Sequence, residues 1–332
     1  MSFVEEMKAK AVRMGKKLVL PEGIEPRTIE AARIIKDEKI ASEVILVGSG
    51  NEIEKAAESL GINLSGITIS DPETSDRLSA YGKEYYLLRK HKGLSKEDAV
   101  RGIKDPLKWG AMMVRLGDAH AMVAGADNPT GKVLVAGFTI IKTSPGVKSA
   151  SSCFVMDFPD KKWGKEGMMI FSDCATIPDP TTEQLAEIAM QASQSCRTFL
   201  QTEPITAMLS FSTKGSAKHS SVEKVTDALA IVQNKAPELL IDGELQLDAA
   251  IVGSVGEKKA PGSKVAGKAN TLIFPDLQSG NIGYKLAQRF GNAGAYGPFL
   301  QGFAKPISDL SRGCSIEDIV NTCAVTMTQV ED

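Results

Sequence analysis

The stretch KLVLPEGIEPRTIEAARIIKDEKIASEVILVGSG, residues 17–50, decides the fold class. An apolar run closed by Pro-Glu-Gly predicts a strand and turn at 17–23. Glu25 to Asp37 then carries apolar residues at helical spacing, EVILVGSG at 43–50 is a second strand, and Glu52 to Leu60 a second helix. Strands joined through a helix must lie parallel, because the crossover returns the chain to the same edge before the next strand begins. The expected fold is therefore α/β with mostly parallel sheets.

Outward from that unit the rhythm continues. Ser75 to Leu116 reads as mostly helical, and AHAMVAGADNPTG at 119–131 as a buried strand running into a Gly/Asp/Asn/Pro loop. Loops at such strand ends commonly hold ligands in open sheets. From Ser151 the pattern changes. SSCFVMDF (151–158) and GMMIFSDCA (167–175) read as strands joined by DKKWGKEG, a hairpin. A long helix from Thr181 to Phe199 leads into a second βα series: strand ITAMLSFST, a helix from Ser221 to Asn234, strands LQLDAAIV (245–252) and TLIFPD (271–276), and a helix from Gly280 to Phe290. At 332 residues the chain exceeds the ~250 to 300 at which one core stops growing. Two domains with a cleft between are expected, with no flexible linker visible.

Composition narrows the function classes. Hydrophobic residues make up 42% and charged residues 24%, with 39 basic and 41 acidic side chains mixed along the chain for a net charge of −2. Such a balance offers no electrostatic footprint for nucleic acid or an anionic membrane. Cys153, Cys174, Cys196, Cys314 and Cys323 are odd in number and never form CxxC, and His91, His120 and His219 form no metal-binding cluster. No disulfide framework and no metal are expected. The N-terminal MSFVEEMKAKAVRMGKK lacks an export core, and no ~18-residue apolar run follows. A cytoplasmic protein is expected.

Two segments carry candidate chemistry. SRGCSIED at 311–318 pairs Ser315 with Asp318 in a capping-box pattern ahead of a helical apolar series. Capping accounts for those two residues but not for Ser311 and Arg312, which precede the positive helix end where anions are readily held. LSFSTKGSAKHSS at 209–221 is built like a phosphate cradle. Ser212, Thr213 and Ser216 hydroxyls, Gly215 and Ser216 amides and the Lys214 ammonium can all face an oxyanion there, although an ordinary helix-capping turn fits equally well. GSKVAGKA at 262–269 nearly matches the nucleotide-binding GxxxxGK[ST] loop. It fails because Ala269 replaces the magnesium-holding hydroxyl and the strand follows the glycines, which leaves Lys268 and Asn270 as possible ligand-lining residues. GSG at 48–50 lacks the third glycine of a dinucleotide loop, and no Ser/His/Asp or Cys/His arrangement emerges from spacing. Arg89 in LLRKHKG reads by default as a solvated helix terminus.

Taken together, KLVLPEGIEPRTIEAA, MVAGADNPT, MLSFSTKGSAK, IDGELQLDAAIV, APGSKVAGKANTLIFPDLQSGNIGYK and YGPFLQGFAKPISDLSRGCSIEDIV resemble the phosphate acetyltransferases over nearly the whole chain. The resemblance implies two α/β/α domains related to the isocitrate and isopropylmalate dehydrogenase folds, with the active site in the interdomain cleft of a homodimer. The first domain is then discontinuous, residues 1–143 plus 302–332, with 144–301 as the second. It also implies reversible acetyl transfer between CoA and inorganic phosphate, with acetyl phosphate as the other partner and no metal or prosthetic group; CoA is a substrate, not a cofactor.

Carried over residue by residue, the resemblance makes Ser311, Arg312 and Asp318 catalytic. Ser212, Thr213, Lys214, Gly215, Ser216, Lys268, Asn281 and Tyr284 fall on the substrate and phosphate side, and Arg89, Thr130 and Lys132 on the CoA side. One departure stands out: a CoA-side arginine expected beyond the GAD loop is Val135 here, so Lys132 or Lys142 must supply the charge or CoA affinity falls. Lys161 replaces a cysteine found in some relatives. A preference for propionyl or butyryl groups, a catalytically impaired CoA-binding homologue, and a dehydrogenase of the related fold are the alternatives. The last lacks a complete nicotinamide fingerprint.

Overall fold

The computed structural model describes residues 2–331. The chain forms two compact units: one runs to Pro145 and resumes at Phe303, and the other is Gly146–Gly302.

The first unit opens with α1 (Phe3–Met14), started by a complete Ser2/Glu5 capping box. Then come β1 (Lys17–Leu20), α2 (Pro26–Asp37), β2 (Glu43–Val47), α3 (Gly50–Leu60) and β3 (Thr68–Ser70). The helical stretch is α4 (Leu78–Arg89), α5 (Lys96–Gly102) and α6 (Pro106–Leu116), followed by β4 (Ala121–Ala124) and α7 (Thr130–Ala136). The sheet order is β11-β4-β1-β2-β3 with every pair parallel, its last strand β11 (Ile307–Asp309) arriving from the chain's C-terminal part ahead of α13 (Ile316–Met327). One face buries Leu18, Leu20, Val44 and Leu46 against Ile29, Ile35, Ile319, Cys323 and Met327 of α2 and α13. Against β1 and β4 packs α6, whose fully buried Trp109 donates its ring N–H to the Ser70 hydroxyl at 2.9 Å. Because β1 connects onward to β2 on one side and pairs with β4 on the other, the carboxyl ends of β1 and β4 flank a switch point, the place where open α/β sheets build sites.

The second unit begins with β5 (Ser151–Asp157) and β6 (Met168–Ser172), an antiparallel hairpin as its pattern predicts. It continues through α8 (Thr182–Leu200), β7 (Thr206–Leu209), α9 (Ser220–Lys235) and β8 (Ile241–Leu245). The short helices α10 (Leu247–Ile251) and α11 (Gly253–Lys259) precede β9 (Thr271–Ile273), α12 (Leu277–Phe290) and β10 (Gly294–Gln301). The strand expected at LQLDAAIV is a correction: the strand is IDGEL just before it, and LDAAI is helical. Four apolar residues in a short run fit either structure. Here Ala249 and Ala250 turn inward from a helix, while IDGEL, half polar, takes the edge of the sheet beside β7. The other edge, β10, went unread because Gly297–Pro298 interrupts it; proline is tolerated at an edge, where no ladder hydrogen bond is lost. Phe154, Met169, Phe171, Leu272 and Phe274 form the core on one face.

Among the described residues no helix is long and apolar enough to cross a membrane.

Candidate active site

At the switch point of the first unit, the turn after β1 reaches across to the loop after β4. The buried Glu22 carboxylate accepts N–H bonds from Gly125, Ala126, Asp127 and Asn128 at 2.8–3.1 Å, plus the Asn128 side-chain amide. Four consecutive amides that would otherwise be orphaned behind a strand are thus satisfied by one anion. Gly125 has to be glycine: at φ +116° a Cβ would stand 2.6 Å from Asp309 Oδ1 and from the Leu310 backbone. Asp309 ends β11. One of its oxygens accepts from the Thr130 hydroxyl at 2.6 Å, and the other has no partner among the described residues. Burial pushes its carboxyl up to about 6; the Thr130 bond opposes that rise, and the nearby Glu22 charge adds to it.

Directly after Asp309 and Leu310 comes the SRGC loop. Ser311, Arg312 and Asp318 are all exposed, while Cys314 is buried. The capping box forms in full: the Ser315 hydroxyl accepts from Asp318 N at 3.1 Å, and Asp318 Oδ2 accepts from Ser315 N at 2.9 Å. Asp318 Oδ1 has no hydrogen-bond partner among the described residues. Ser311 Oγ accepts from Gly313 N at 3.2 Å, which leaves its proton free to donate outward. Cap and candidate base are therefore one residue, using one oxygen for each role. A side-chain hydrogen bond directly linking Ser311, Arg312 and Asp318 does not occur among the described residues.

On the CoA side, Thr130 starts α7 and is joined to the SRGC loop's strand through Asp309, while Lys132 and Val135 are exposed one turn apart on the same helix face. Arg89, half-buried at the end of α4, is not an isolated surface charge. Burial lowers the pKa of the Lys142 ammonium, and the Arg89 and Arg115 guanidiniums lower it further, so these cations gather in one region.

In the second unit the donors of the expected cradle already have partners within the protein. Glu244, buried at the end of β8, accepts from the Ser212 hydroxyl and from Gly215 N, each at 2.8 Å. Thr213 N donates to the Ser216 hydroxyl, Thr213 Oγ1 accepts from Gln246 N, and the Lys214 ammonium is held by Asp242 and by the Gly243 carbonyl. Ser216 N closes the turn onto Thr213 O. The loop does cradle an oxyanion, but the oxyanion is the protein's own carboxylate. Lys268 is exposed, whereas Asn270 is 5% exposed and fully engaged with Ile205 N and Glu203 O, which makes it a structural residue. Tyr284 stacks on Phe154 at 4.2 Å, and Asn281 donates to the Cys174 carbonyl. Gly280 lets α12 descend onto the turn after β6, where a Cβ would meet Asp173 O at 2.2 Å.

Remaining candidates are structural. His120 accepts from Lys17 N, His219 caps α9, and all five cysteines are buried and free. Among the described residues no group of three or more His, Cys, Asp or Glu is placed to hold a metal. Sequence reading missed Glu22, Arg27, Asp309 and Glu244. The available signal was a charged residue next to an apolar strand, as in PEG and IDGEL.

Fold and site define a two-unit α/β protein that builds polar loops at the carboxyl ends of parallel strands. The chain belongs to the family described as Phosphate acetyl/butaryl transferase, whose pattern matches residues 2–327. It is similar to a phosphate acetyltransferase of Treponema pallidum (strain Nichols), 54% identical over 99% of each chain, and to one of Thermoanaerobacterium thermosaccharolyticum, 50% identical over 100% of each. Among solved structures it is similar to a phosphotransacetylase from Streptococcus pyogenes, with TM-score 0.93 and 40% identity over 99% of each chain.

Proposed function

We propose that this protein is a phosphate acetyltransferase, interconverting acetyl-CoA plus phosphate with acetyl phosphate plus CoA. The observation that carries this reading is full-length identity of about one half with proteins of that name. In the direction of thioester synthesis, Asp318 takes the proton of the CoA thiol, whose pKa is near ~8.5. The thiolate attacks the acetyl carbonyl, and the Arg312 guanidinium and the Ser311 hydroxyl stabilise the tetrahedral oxyanion. As that intermediate collapses, the bond to the phosphate oxygen breaks and phosphate leaves with the electron pair. The exposed position of all three side chains and the free Oδ1 of Asp318 support these roles. Holding thiol and acetyl phosphate together contributes much of the rate, and no metal or prosthetic group is assigned a step.

Arg89, Lys142, Lys132 and Thr130 are assigned to CoA, supported by the gathering of cations around Lys142 and by the position of Lys132 one turn before Val135. Lys268, Asn281 and Tyr284 are assigned to substrate by the family resemblance alone. We further propose a cytoplasmic homodimer. Five buried free cysteines suit a reducing compartment, and α12 exposes Ile282, Leu286 and Phe290 along one stripe, with Phe290 85% exposed.

The test is thioester formation by the purified protein from CoA and acetyl phosphate, beside butyryl phosphate and with EDTA present. Rapid, EDTA-insensitive acetyl-CoA formation is expected. Faster turnover of butyryl phosphate, or none with either donor in a folded protein, overturns the reading.

A further inference from the structure

The guanidinium of Arg27, on the first turn of α2, joins three separate segments. Its Nη1 donates to the backbone carbonyls of Arg312 at 2.9 Å and Cys314 at 2.8 Å, and its Nη2 to that of Ala126 at 2.8 Å. Its Nε donates to Glu25 at 2.7 Å, and the other Glu25 oxygen accepts from Thr28 N at the start of the same helix. Arginine has five N–H donors in a rigid fork, and these contacts use all but one of them. A group so committed has little left for a substrate.

We infer that Arg27 is a positioning residue, setting the backbone that carries Ser311 and Arg312 against the loop after β4; this rests on the catalytic assignment proposed above. The first loop of the fold holds Ala126 from both sides, since Glu22 accepts from its N–H at 2.8 Å while Arg27 donates to its carbonyl. The same guanidinium then carries that fixed reference point to the SRGC loop, pinning the carbonyl of Arg312, the residue whose side chain has to meet developing charge. Glu25 fixes the fork by accepting from Nε at 2.7 Å, and that hydrogen bond is also the chief cause of a raised Arg27 pKa. Lysine cannot copy this, because a point charge lacks two diverging in-plane donors. Arg33 on the same helix is the internal control: it bridges Asp37 to the Asn63 and Ser65 carbonyls in similar fashion, but away from the SRGC loop.

The experiment compares wild type, Arg27→Ala, Arg27→Lys and Arg33→Gln in steady-state kinetics with CoA and acetyl phosphate, and in amide hydrogen exchange. Misplacement of a catalytic group by about 1 Å costs roughly 100-fold, so Arg27→Ala is expected to lose about that much kcat with each KM within about 3-fold. Millimolar guanidinium is expected to restore part of the loss, and faster exchange to be confined to residues 125–128 and 310–315. Arg33→Gln keeps kcat. A loss carried by KM would mean that Arg27 touches substrate directly, and overturns the inference, as does unchanged exchange in both loops. If Arg27→Ala does not fold, Arg27→Lys decides: a kcat about 10-fold down at constant KM is expected, and near-native kcat overturns it. Wild type without thioester activity refutes the functional reading, while the exchange pattern still tests the staple by itself.

Discussion

Asp318 and Asp309 flank the same loop in opposite environments, and each predicts a different behaviour. Asp318 is exposed and shares itself between the helix cap and solvent. Replacing it with asparagine keeps an acceptor for Ser315 N, so Asp318→Asn should fold normally while losing about 100- to 10,000-fold in kcat, the range for a general base. Arg312→Ala should lose about 100- to 1,000-fold, as when an oxyanion donor is removed. Circular dichroism and steady-state rates check both, and near-native turnover in either variant removes that residue from the mechanism. Asp309, by contrast, is raised to about 6 in the fold, against ~3.9 when unfolded. A carboxyl whose folded pKa is raised favours folding in its protonated form. Its contribution is therefore present below about pH 4 and lost as pH climbs through about 6. Asp309→Asn does not titrate, so its stability relative to wild type should improve from pH 4 to pH 7 by on the order of 2 kcal/mol. Urea melts at the two pH values measure this; a gap that does not vary with pH would show that the buried oxygen is not titrating.

At the scale of elements, two loops close on internal carboxylates, and the pattern of acceptors ranks them. Glu22 uses both oxygens, so Glu22→Gln must aim an NH2 group at backbone N–H donors. Glu244 receives its side-chain bonds on Oε1 alone, and Glu244→Gln can keep that acceptor. The expected destabilisation is about 2–4 kcal/mol for Glu22→Gln and under about 1 kcal/mol for Glu244→Gln. Equal losses in chemical denaturation would mean that charge rather than donor direction sets the cost.

At the scale of the whole molecule, α12 carries an exposed apolar stripe. Ile282, Leu286 and Phe290 project together from a helix whose other side packs near Phe154 and Phe274. If two copies meet there, Leu286→Asp should sediment as a monomer with unchanged helix content; a variant that stays dimeric places the interface elsewhere.

The α/β class and the long helices were legible in the sequence, as was the hairpin at 151–175, because each follows from a local period and a local turn. The capping box at Ser315 and Asp318 was equally legible, since it is written within four residues. LQLDAAIV was not, because a short apolar run takes its structure from what it packs against, and neither was β10, whose proline is tolerable only at an edge. The cradle at Ser212–Ser216 shows the same divide in the site: its donors could be read from sequence, but not that Glu244, some thirty residues on, would occupy them. Arg27 bonds to Arg312 and Ala126, distant in sequence and adjacent only after β1, β4 and β11 pair side by side. Sequence by itself determined which groups this protein has and which segments are regular. Only the tertiary structure decided which donors are already satisfied and which remain free for a ligand, because a hydrogen bond depends on distance in space and the sheet order sets that distance.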